Sequence, residues 1–199
     1  MGKMIYLMGK SASGKNAVYT HLLESKSLNL KKVVPYTTRP IRAGEVEGVE
    51  YHFTDEAGYK KLEDEGRVIE ARVYHTYYGP WYYFMVDDGN IDLSRENYLV
   101  IGTLESYQKT AGYFGRDKVV PVLLELDDGV RLKRALEREM KEDVPGYEEM
   151  CRRFLADSVD FSEEKIREAG IDRRFFNNEL GVCLDEIEKY ITSRLCEEN

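Results

Sequence analysis

Residues 4–16 read MIYLMGKSASGKN, and this stretch decides how the rest of the chain is interpreted. Five apolar or aromatic residues predict a short buried strand. Gly9–Lys15 then follow the spacing G-x-x-x-x-G-K, and residues 17–23 carry apolar side chains at helical spacing. Glycines let a backbone wrap around a phosphate with its N–H groups pointing inward, and the start of a helix adds positive partial charge. The stretch therefore predicts a phosphate-binding loop in which Lys15 reaches the terminal phosphates of a nucleotide.

One position in this loop departs from the usual pattern. The residue after the lysine is normally Ser or Thr, whose hydroxyl binds Mg²⁺ beside the nucleotide. Here it is Asn16, whose side-chain carbonyl is also a hard oxygen ligand, with a different reach. We therefore expect Asn16 to be the protein ligand of Mg²⁺. The loop predicts nucleotide binding, and the substitution leaves open whether the nucleotide is turned over.

Composition limits the classes of protein to consider. A chain of 199 residues with 42% apolar residues can form one well-packed domain, and a net charge of −8 argues against a general nucleic-acid binder. The longest apolar runs are too short to span a membrane, and the first strand begins too early to leave room for a signal peptide. Three cysteines without a C-x-x-C pair suit a reducing compartment, so we expect a cytoplasmic protein.

The pattern along the chain alternates strands with helices. Strand patterns recur at 31–35, 98–103, 119–126 and 173–178, and helical patterns at 55–65, 105–114, 129–140, 147–161 and 179–195. This alternation predicts an α/β fold of the P-loop NTPase type, a parallel sheet with helices on both faces. Residues 35–86 are rich in β-branched and aromatic side chains and predict a β-rich insertion. The Asp, Pro and Gly residues at 141–146 break the helical pattern.

Arginines separated in sequence are candidates for a shared anion site. Ligands of parallel sheets bind at the carboxyl ends of the strands, which is where the phosphate loop lies. The candidates are Arg39, Arg42, Arg138, Arg152 and Arg153. Of the adjacent pair 152 and 153 only one side chain can point fully inward, and Arg153 is the preferred one. Converging cations over a phosphate loop suggest phosphoryl transfer, in which moving negative charge must be held throughout.

Residues 37–53 read TTRPIRAGEVEGVEYHF and resemble the guanylate kinase signature T-T-R-x-x-R-x-G-E-x-x-G-x-x-Y-x-F. The resemblance runs over most of the chain. It implies that the phosphate of GMP is held by Arg39, Arg42 and Tyr51. The segment VIEA at 68–71 resembles the family segment whose glutamate contacts guanine, which implies this role for Glu70. YYG at 77–79 resembles a further family motif and implies that Tyr78 touches the acceptor phosphate.

The same resemblance assigns the donor side. Arg138 and Arg153 match arginines that close over the triphosphate, so with Lys15 they are the expected catalytic residues. Mg²⁺ would accompany ATP, and the nucleotides ATP and GMP are the expected partners. The implied ATP-binding residues are Gly9, Lys10, Ser11, Ala12, Ser13, Gly14, Lys15, Asn16 and Asn177, the last matching an asparagine near the donor adenine.

The resemblance also implies a single domain over residues 1–199. Its expected core comprises about 1–34, 98–137 and 148–199, its acceptor-binding region about 35–86, and its lid about 138–147. The oligomeric state is left open.

Four positions depart from the family pattern. The first is Asn16. Pro35 and Pro80 stand where the family has a hydroxyl side chain, and the strand that usually ends in D-x-D ends here in IGT, with Thr103 as its last residue. A site that loses hydrogen-bond partners for guanine should discriminate less well. Three hypotheses follow: an ATP:GMP phosphotransferase, a related kinase with another phosphorylated acceptor, and a silent guanylate-kinase-like binding module. Lys15 and the retained lid arginines argue against the third.

Overall fold

The structure, a computed structural model, describes residues 1–42, 44–76 and 79–196. Its strands are β1 Met4–Gly9, β2 Leu30–Lys32, β3 Tyr36–Thr37, β4 His52–Phe53, β5 Val68–Thr76, β6 Gly79–Val86, β7 Asn97–Gly102, β8 Val119–Glu125 and β9 Arg174–Phe176. Its helices are α1 Lys15–Glu24, α2 Glu56–Asp64, α3 Leu104–Phe114, α4 Asp128–Glu139, α5 Tyr147–Asp160, α6 Glu163–Glu168 and α7 Leu180–Cys196. Within the described ranges, no helix is long and apolar enough to cross a membrane.

A five-stranded parallel sheet forms the centre, in the order β2-β7-β1-β8-β9. The strand β1 lies in the middle, and all six of its residues are buried. Because every strand points the same way, the loops after β1, β7, β8 and β9 leave from one edge of the sheet. The phosphate loop is among them.

Helices cover both faces of this sheet, as the alternating pattern predicts. Successive side chains of a strand point to opposite faces. Ile5 and Leu7 therefore pack in one cluster with residues of α1 and α7, including Cys183. Tyr6 and Met8 pack in the other cluster with residues of α3 and α6. The predicted α/β fold with a doubly covered parallel sheet is confirmed.

The β-rich region forms a second sheet, in the order β4-β3-β6-β5. Its β3 and β4 are parallel, whereas β6 runs antiparallel to both β3 and β5. The helix α2 packs on it through Tyr59, whose ring stacks on Tyr82 with centroids 4.2 Å apart and meets Phe84 edge-on. This small core is separate from the two clusters of the parallel sheet.

Two details differ from the sequence prediction. The strand predicted at 31–35 ends at Lys32, and the chain then crosses to the second sheet at Tyr36. Pro35 has no N–H to give to a ladder, which suits such a crossing. The helix α6 was not predicted; Ser162 caps it by accepting from the N–H of Lys165, and Ile166 is buried beneath it.

Candidate active site

The phosphate loop wraps tightly at the carboxyl end of β1. Gly14 has a φ of 99° and Ala12 a φ of 60°, in the left-handed region that residues other than glycine seldom adopt. A Cβ at Gly9 would lie 2.3 Å from the carbonyl oxygen of Leu124, so this position requires glycine for space as well. Ser13 is fully buried beneath the loop. The close turn predicted from the glycine spacing is therefore present.

Lys15 folds back into this loop. Its Nζ donates to the carbonyl oxygens of Gly9 at 2.6 Å and Lys10 at 2.9 Å. Burial lowers the pKa of Lys15 to about 8; the carboxylate of Asp157 raises the pKa in partial compensation, and Arg131 lowers it further. The loop thus holds a cation whose charge is poorly solvated, which favours exchange of the two carbonyl contacts for a phosphate.

Asn177 holds the phosphate loop through a hydrogen bond to the loop backbone. Its side chain is 3% exposed, and Nδ2 donates to the carbonyl oxygen of Ser13 at 2.8 Å. A Cβ added at Gly14 would lie 2.2 Å from this Nδ2. Asn177 therefore fixes the shape of the loop in this structure, and its predicted contact with a donor base stays a prediction.

Asn16 lies in the first turn of α1 with an exposed side chain and no hydrogen-bond partner among the described residues. Its amide oxygen is therefore free to ligate a cation. No group of three or more His, Cys, Asp or Glu residues that could hold a metal ion occurs in the described part of the chain. Mg²⁺ is commonly held by few protein ligands together with phosphate oxygens and water, and Asn16 fits that arrangement.

Arg138 and Arg153 come together beside the phosphate loop. Both line a cavity of about 120 Å³ that Ser11 also lines. Arg138 lies on α4, with Nη2 3.6 Å from Glu139, and Arg153 lies on α5, donating from Nε to Glu149 at 2.6 Å. Each guanidinium thus has a carboxylate partner among the residues that line the cavity.

Arg152 contacts the same carboxylate but is not among the residues that line this cavity. Its hydrogen bonds, together with that of Arg153, lower the pKa of Glu149 to about 2. The two arginines therefore share one acid while facing differently.

Arg39 is held in the second region by a forked ion pair. Its side chain is 3% exposed, and its two Nη atoms donate to the two carboxylate oxygens of Glu45, both at 2.8 Å. Hydrogen bonds from Arg39 and from the N–H of Arg42 lower the pKa of Glu45 to about 2. Nη1 also donates to the carbonyl oxygen of Pro40, whereas Nε has no hydrogen-bond partner in the described residues. The Nε–H of Arg39 is therefore left without a partner among the described residues.

Two other predicted phosphate-holding residues, Tyr51 and Arg42, lie near Arg39. Its guanidinium carbon lies 5.3 Å from the ring centroid of Tyr51, within the range of a cation–π contact. Burial raises the pKa of the Tyr51 hydroxyl, so this group stays a hydrogen-bond donor at neutral pH. The Arg42 side chain is exposed beside them. Tyr78 lies outside the described residues.

Glu70, the predicted base reader, is 4% exposed, and burial raises the pKa of its carboxyl group. Arg72 lies beside it, with Nε 3.4 Å from Oε2, and neither of these two atoms has a well-formed hydrogen bond to a described residue. Arg72 was not predicted as a site residue. Side chains two apart on a strand share one face, and this signal could have found it.

Comparison with known proteins decides the family. The sequence model of the guanylate kinase family matches residues 1–82. A guanylate kinase of Caldanaerobacter subterraneus subsp. tengcongensis is 32% identical over 179 residues, which cover 83% of this chain and 85% of that protein. The chain belongs to the guanylate kinase family. A guanylate kinase of Mycobacterium bovis is 29% identical over 181 residues, covering 86% of this chain and 74% of that protein.

The fold agrees with this assignment. The crystal structure of guanylate kinase from Anaplasma phagocytophilum superposes with a TM-score of 0.65 at 22% sequence identity, covering 98% of this chain and 87% of that one. The resemblance inferred from the signature at 37–53 is thus confirmed at the level of family and fold.

One of the four departures of this guanylate kinase family member, Thr103, has a local structural role. Thr103 is the N-cap of α3, where its hydroxyl accepts from the N–H of Ser106 while the Ser106 hydroxyl accepts from the N–H of Thr103. A Cβ at Gly102 would lie 2.4 Å from the hydroxyl of Tyr6, which itself donates to Ser106 at 2.7 Å. The D-x-D pattern would place carboxylates at 101 and 103, where this chain has Ile101 and Thr103, and the hydroxyl of Thr103 is used by the helix cap.

Proposed function

We propose that this protein is an ATP-dependent nucleoside monophosphate kinase that moves the γ-phosphate of ATP to GMP and yields ADP and GDP. The observation that carries the proposal is the convergence of Arg138, Arg153 and the phosphate-loop residue Ser11 on one cavity. Lys15 lies in the same loop. Family membership supports the same reaction class.

The proposed transfer is in line. A phosphate oxygen of the acceptor attacks the γ-phosphorus, the bond from that phosphorus to the β–γ bridging oxygen breaks, and ADP leaves with the released electron pair. The protein does little covalent chemistry in such a step; it aligns the phosphates and stabilises their charge. Lys15 is assigned to the β- and γ-phosphates, and Arg138 with Arg153 to the transferring group. Residues 138–147, which join α4 to α5, are proposed to be the lid that excludes water.

Mg²⁺, when bound with ATP, would neutralise phosphate charge. Asn16 is the protein side chain proposed to hold it, through its free amide oxygen. The remaining ligands would be phosphate oxygens and water.

Residues 35–86 are proposed to bind the acceptor. Arg39 offers its remaining N–H groups to the acceptor phosphate, supported by Tyr51 and Arg42. The carboxylate of Glu70 is assigned to the N–H groups of the base. Tyr78 is assigned to the acceptor phosphate from its match to the family motif.

A second candidate keeps the reaction and changes the acceptor. It is favoured by Arg72, whose guanidinium lies 3.4 Å from the carboxylate proposed to read guanine. Thr103, at one of the two positions where the family pattern has a carboxylate, is also occupied as a helix cap. The experiment is ADP production from Mg-ATP with GMP, dGMP, AMP, CMP, UMP, IMP and ribose phosphates offered separately.

We expect turnover with GMP and dGMP at least about tenfold faster than with the other acceptors. Turnover with another acceptor alone would assign the second candidate. Nucleotide binding without any turnover would contradict both and leave the binding module. The cytoplasmic location stays a prediction.

The donor affinity is expected to depend on pH because of Lys15. The pKa of this lysine in the free protein is about 8, and a bound phosphate raises the pKa by stabilising the charged form. Affinity for ADP or ATP is therefore constant below pH 8 and falls above it, by up to about tenfold per pH unit, until the pKa of the complex is reached. Isothermal titration between about pH 7.5 and 9.5 measures this.

Lys15→Arg supplies the control, since a guanidinium keeps its charge throughout this range. Its affinity should be independent of pH, whatever its absolute value. A wild-type affinity that stays constant to pH 9.5 would contradict the assignment of Lys15 to the donor phosphates.

A further inference from the structure

Arg131 lies at the junction of α4, α5 and the phosphate loop. Its side chain is fully buried, one of the largest such side chains in the described part of the chain. Nε donates to Oδ1 of Asp128 at 3.0 Å, and Nη2 lies 3.0 Å from the same oxygen. The guanidinium carbon lies 4.7 Å from the ring centroid of Phe154. A buried cation is costly unless it is paired, so these contacts identify a position that the fold has built for a charge.

Arg131 and Asp157 together hold the backbone of one phosphate-loop residue, Ser11. Nη1 donates to the carbonyl oxygen of Ser11 at 2.8 Å. The backbone N–H of Ser11 donates to Oδ2 of Asp157 at 2.7 Å, a short charge-assisted hydrogen bond. Nη1 of Arg131 also lies 3.3 Å from Oδ2 of Asp157. Both polar atoms of the Ser11 backbone are thus held by an ion pair whose members come from two helices; we call Ser11, Arg131 and Asp157 the loop clamp.

The helix faces that carry the clamp also carry the predicted catalytic arginines. Arg131 and Arg138 are seven residues apart, close to two turns of α4, and Arg153 and Asp157 are four residues apart on α5. Side chains at these spacings share one face. The cavity next to Ser11 is lined by residues between or beside them, Ala135 on α4 and Phe154 on α5. A shift of Ser11 relative to either helix would therefore change the distance from the loop to the arginines.

We propose that Arg131 and Asp157 are positioning residues that fix the phosphate loop at Ser11 relative to Arg138 and Arg153. The donor phosphates are then held at a fixed distance from the two arginines that stabilise the transition state. The inference rests on the proposed assignment of this loop and cavity to the donor nucleotide. The clamp acts through the loop backbone, and neither residue is assigned a contact with substrate.

If Asp157 instead competes with the nucleotide for the loop, its removal should change donor binding in the opposite direction. A carboxylate on a phosphate-loop N–H occupies a donor that an anion would otherwise use, so it acts as a competitor if nucleotide binding must expel it. Removing its charge would then tighten donor binding. In the clamp the carboxylate is paired with Arg131, and what matters is an acceptor atom in the right place.

Two substitutions of Asp157 separate these roles. Asp157→Asn removes the charge and keeps an oxygen that accepts from Ser11, whereas Asp157→Ala removes both. We expect Asp157→Ala to weaken ADP affinity by about tenfold and to lower kcat by about 100-fold, with GMP affinity changed less than about threefold. Asp157→Asn should recover most of the loss, to within about threefold of wild type in ADP affinity. Isothermal titration with ADP and with GMP, together with steady-state kinetics, gives the values.

The matched control is Asp160→Asn, which removes an exposed charge from the last residue of the same helix. It should change neither affinity nor kcat. Tighter ADP binding in both Asp157 variants would overturn the proposal in favour of competition, and unchanged ADP binding in Asp157→Ala would overturn it outright. A parallel loss of ADP and GMP affinity together with a lower Tm would assign a purely structural role.

A failure of the proposed function gives a different result from a failure of the loop clamp. A wild-type protein that binds ADP but transfers no phosphate to any acceptor contradicts the kinase assignment. The ADP affinities of the two Asp157 variants test the clamp in that case as well.

Discussion

Lys15→Met is expected to lower kcat by about 10³-fold with ATP and GMP at saturation. The Nζ of Lys15 lies within the turn of the phosphate loop, 2.6 Å from the carbonyl oxygen of Gly9 and 2.9 Å from that of Lys10. From this position it can follow the charge that moves from the γ-phosphate to ADP, which neutral side chains cannot stabilise. Methionine keeps most of the length and the apolar stem, so the loop has little reason to collapse.

The measurement is the steady-state rate of ADP formation, accompanied by the Tm of the variant. Lys133→Met serves as the matched control, because Lys133 lies on α4 near the site but is 76% exposed and points to solvent. Its kcat should equal that of the wild type. A kcat of Lys15→Met within about tenfold of wild type would show that the phosphates are held by other groups.

Arg39→Ala is expected to raise the KM for GMP by about 100-fold, the equivalent of losing one or two charge-assisted hydrogen bonds of about 1.5 to 3 kcal/mol each. The guanidinium is fixed by its forked pair with Glu45 and by the ring of Tyr51, so its unpartnered Nε–H is already oriented before the acceptor arrives. The KM for ATP should change less than about threefold, since Arg39 belongs to the second sheet and not to the phosphate loop.

Two further variants separate charge from geometry. Arg39→Lys keeps the positive charge and loses the fork, and we expect it to recover only a small part of the GMP affinity. Glu45→Gln keeps the arginine and removes the charge that orients it. The pKa of Glu45 is about 2, so the pair is ionised throughout any assay near neutral pH. The Arg39–Glu45 ion pair contributes its full stabilisation above the ordinary carboxyl pKa. This contribution is lost as the pH falls through the pKa of Glu45 in the folded protein.

The result that contradicts the acceptor assignment is an equal rise of both KM values in Arg39→Ala. That outcome, with a lower Tm, would mean that the forked pair maintains the fold of the loop at 39–45 and has no direct part in binding. Direct titration with GMP, without ATP, distinguishes weaker binding from slower transfer.

Much of the fold was determined by local sequence patterns. The run from Met4 to Gly9 followed by G-x-x-x-x-G-K specifies a buried strand and a phosphate loop, because backbone geometry at the glycines allows few alternatives. The alternation of strand and helix patterns specifies a covered parallel sheet, because parallel strands need crossover connections and the connecting helices cover the faces of the sheet. The helix α6 escaped detection because six residues carry too little periodicity to distinguish a helix from a turn.

The site could be predicted where a motif names its residues. The signature at 37–53 named Arg39 and Tyr51 as candidates, and the structure places the guanidinium of Arg39 over the ring of Tyr51; their binding of the acceptor stays a prediction. The lid arginines were identified as candidates, and their place beside Ser11 follows from the packing of α4 on α5. The neighbours that change the chemistry were not identified: Arg72 beside Glu70, and Tyr6 against Gly102.

The sequence by itself determined the family, the phosphate loop and the residue types available for phosphate binding, because these depend on spacing along one segment of chain. Only the tertiary structure decided that Arg131 is buried, that Asp157 accepts from Ser11, and that Asn177 holds the loop at Ser13. Arg131 reads in sequence as one of several charges on a solvated helix. Its partners lie 120 and 26 residues away, and contacts over such separations depend on how helices pack on the sheet, which no local pattern encodes.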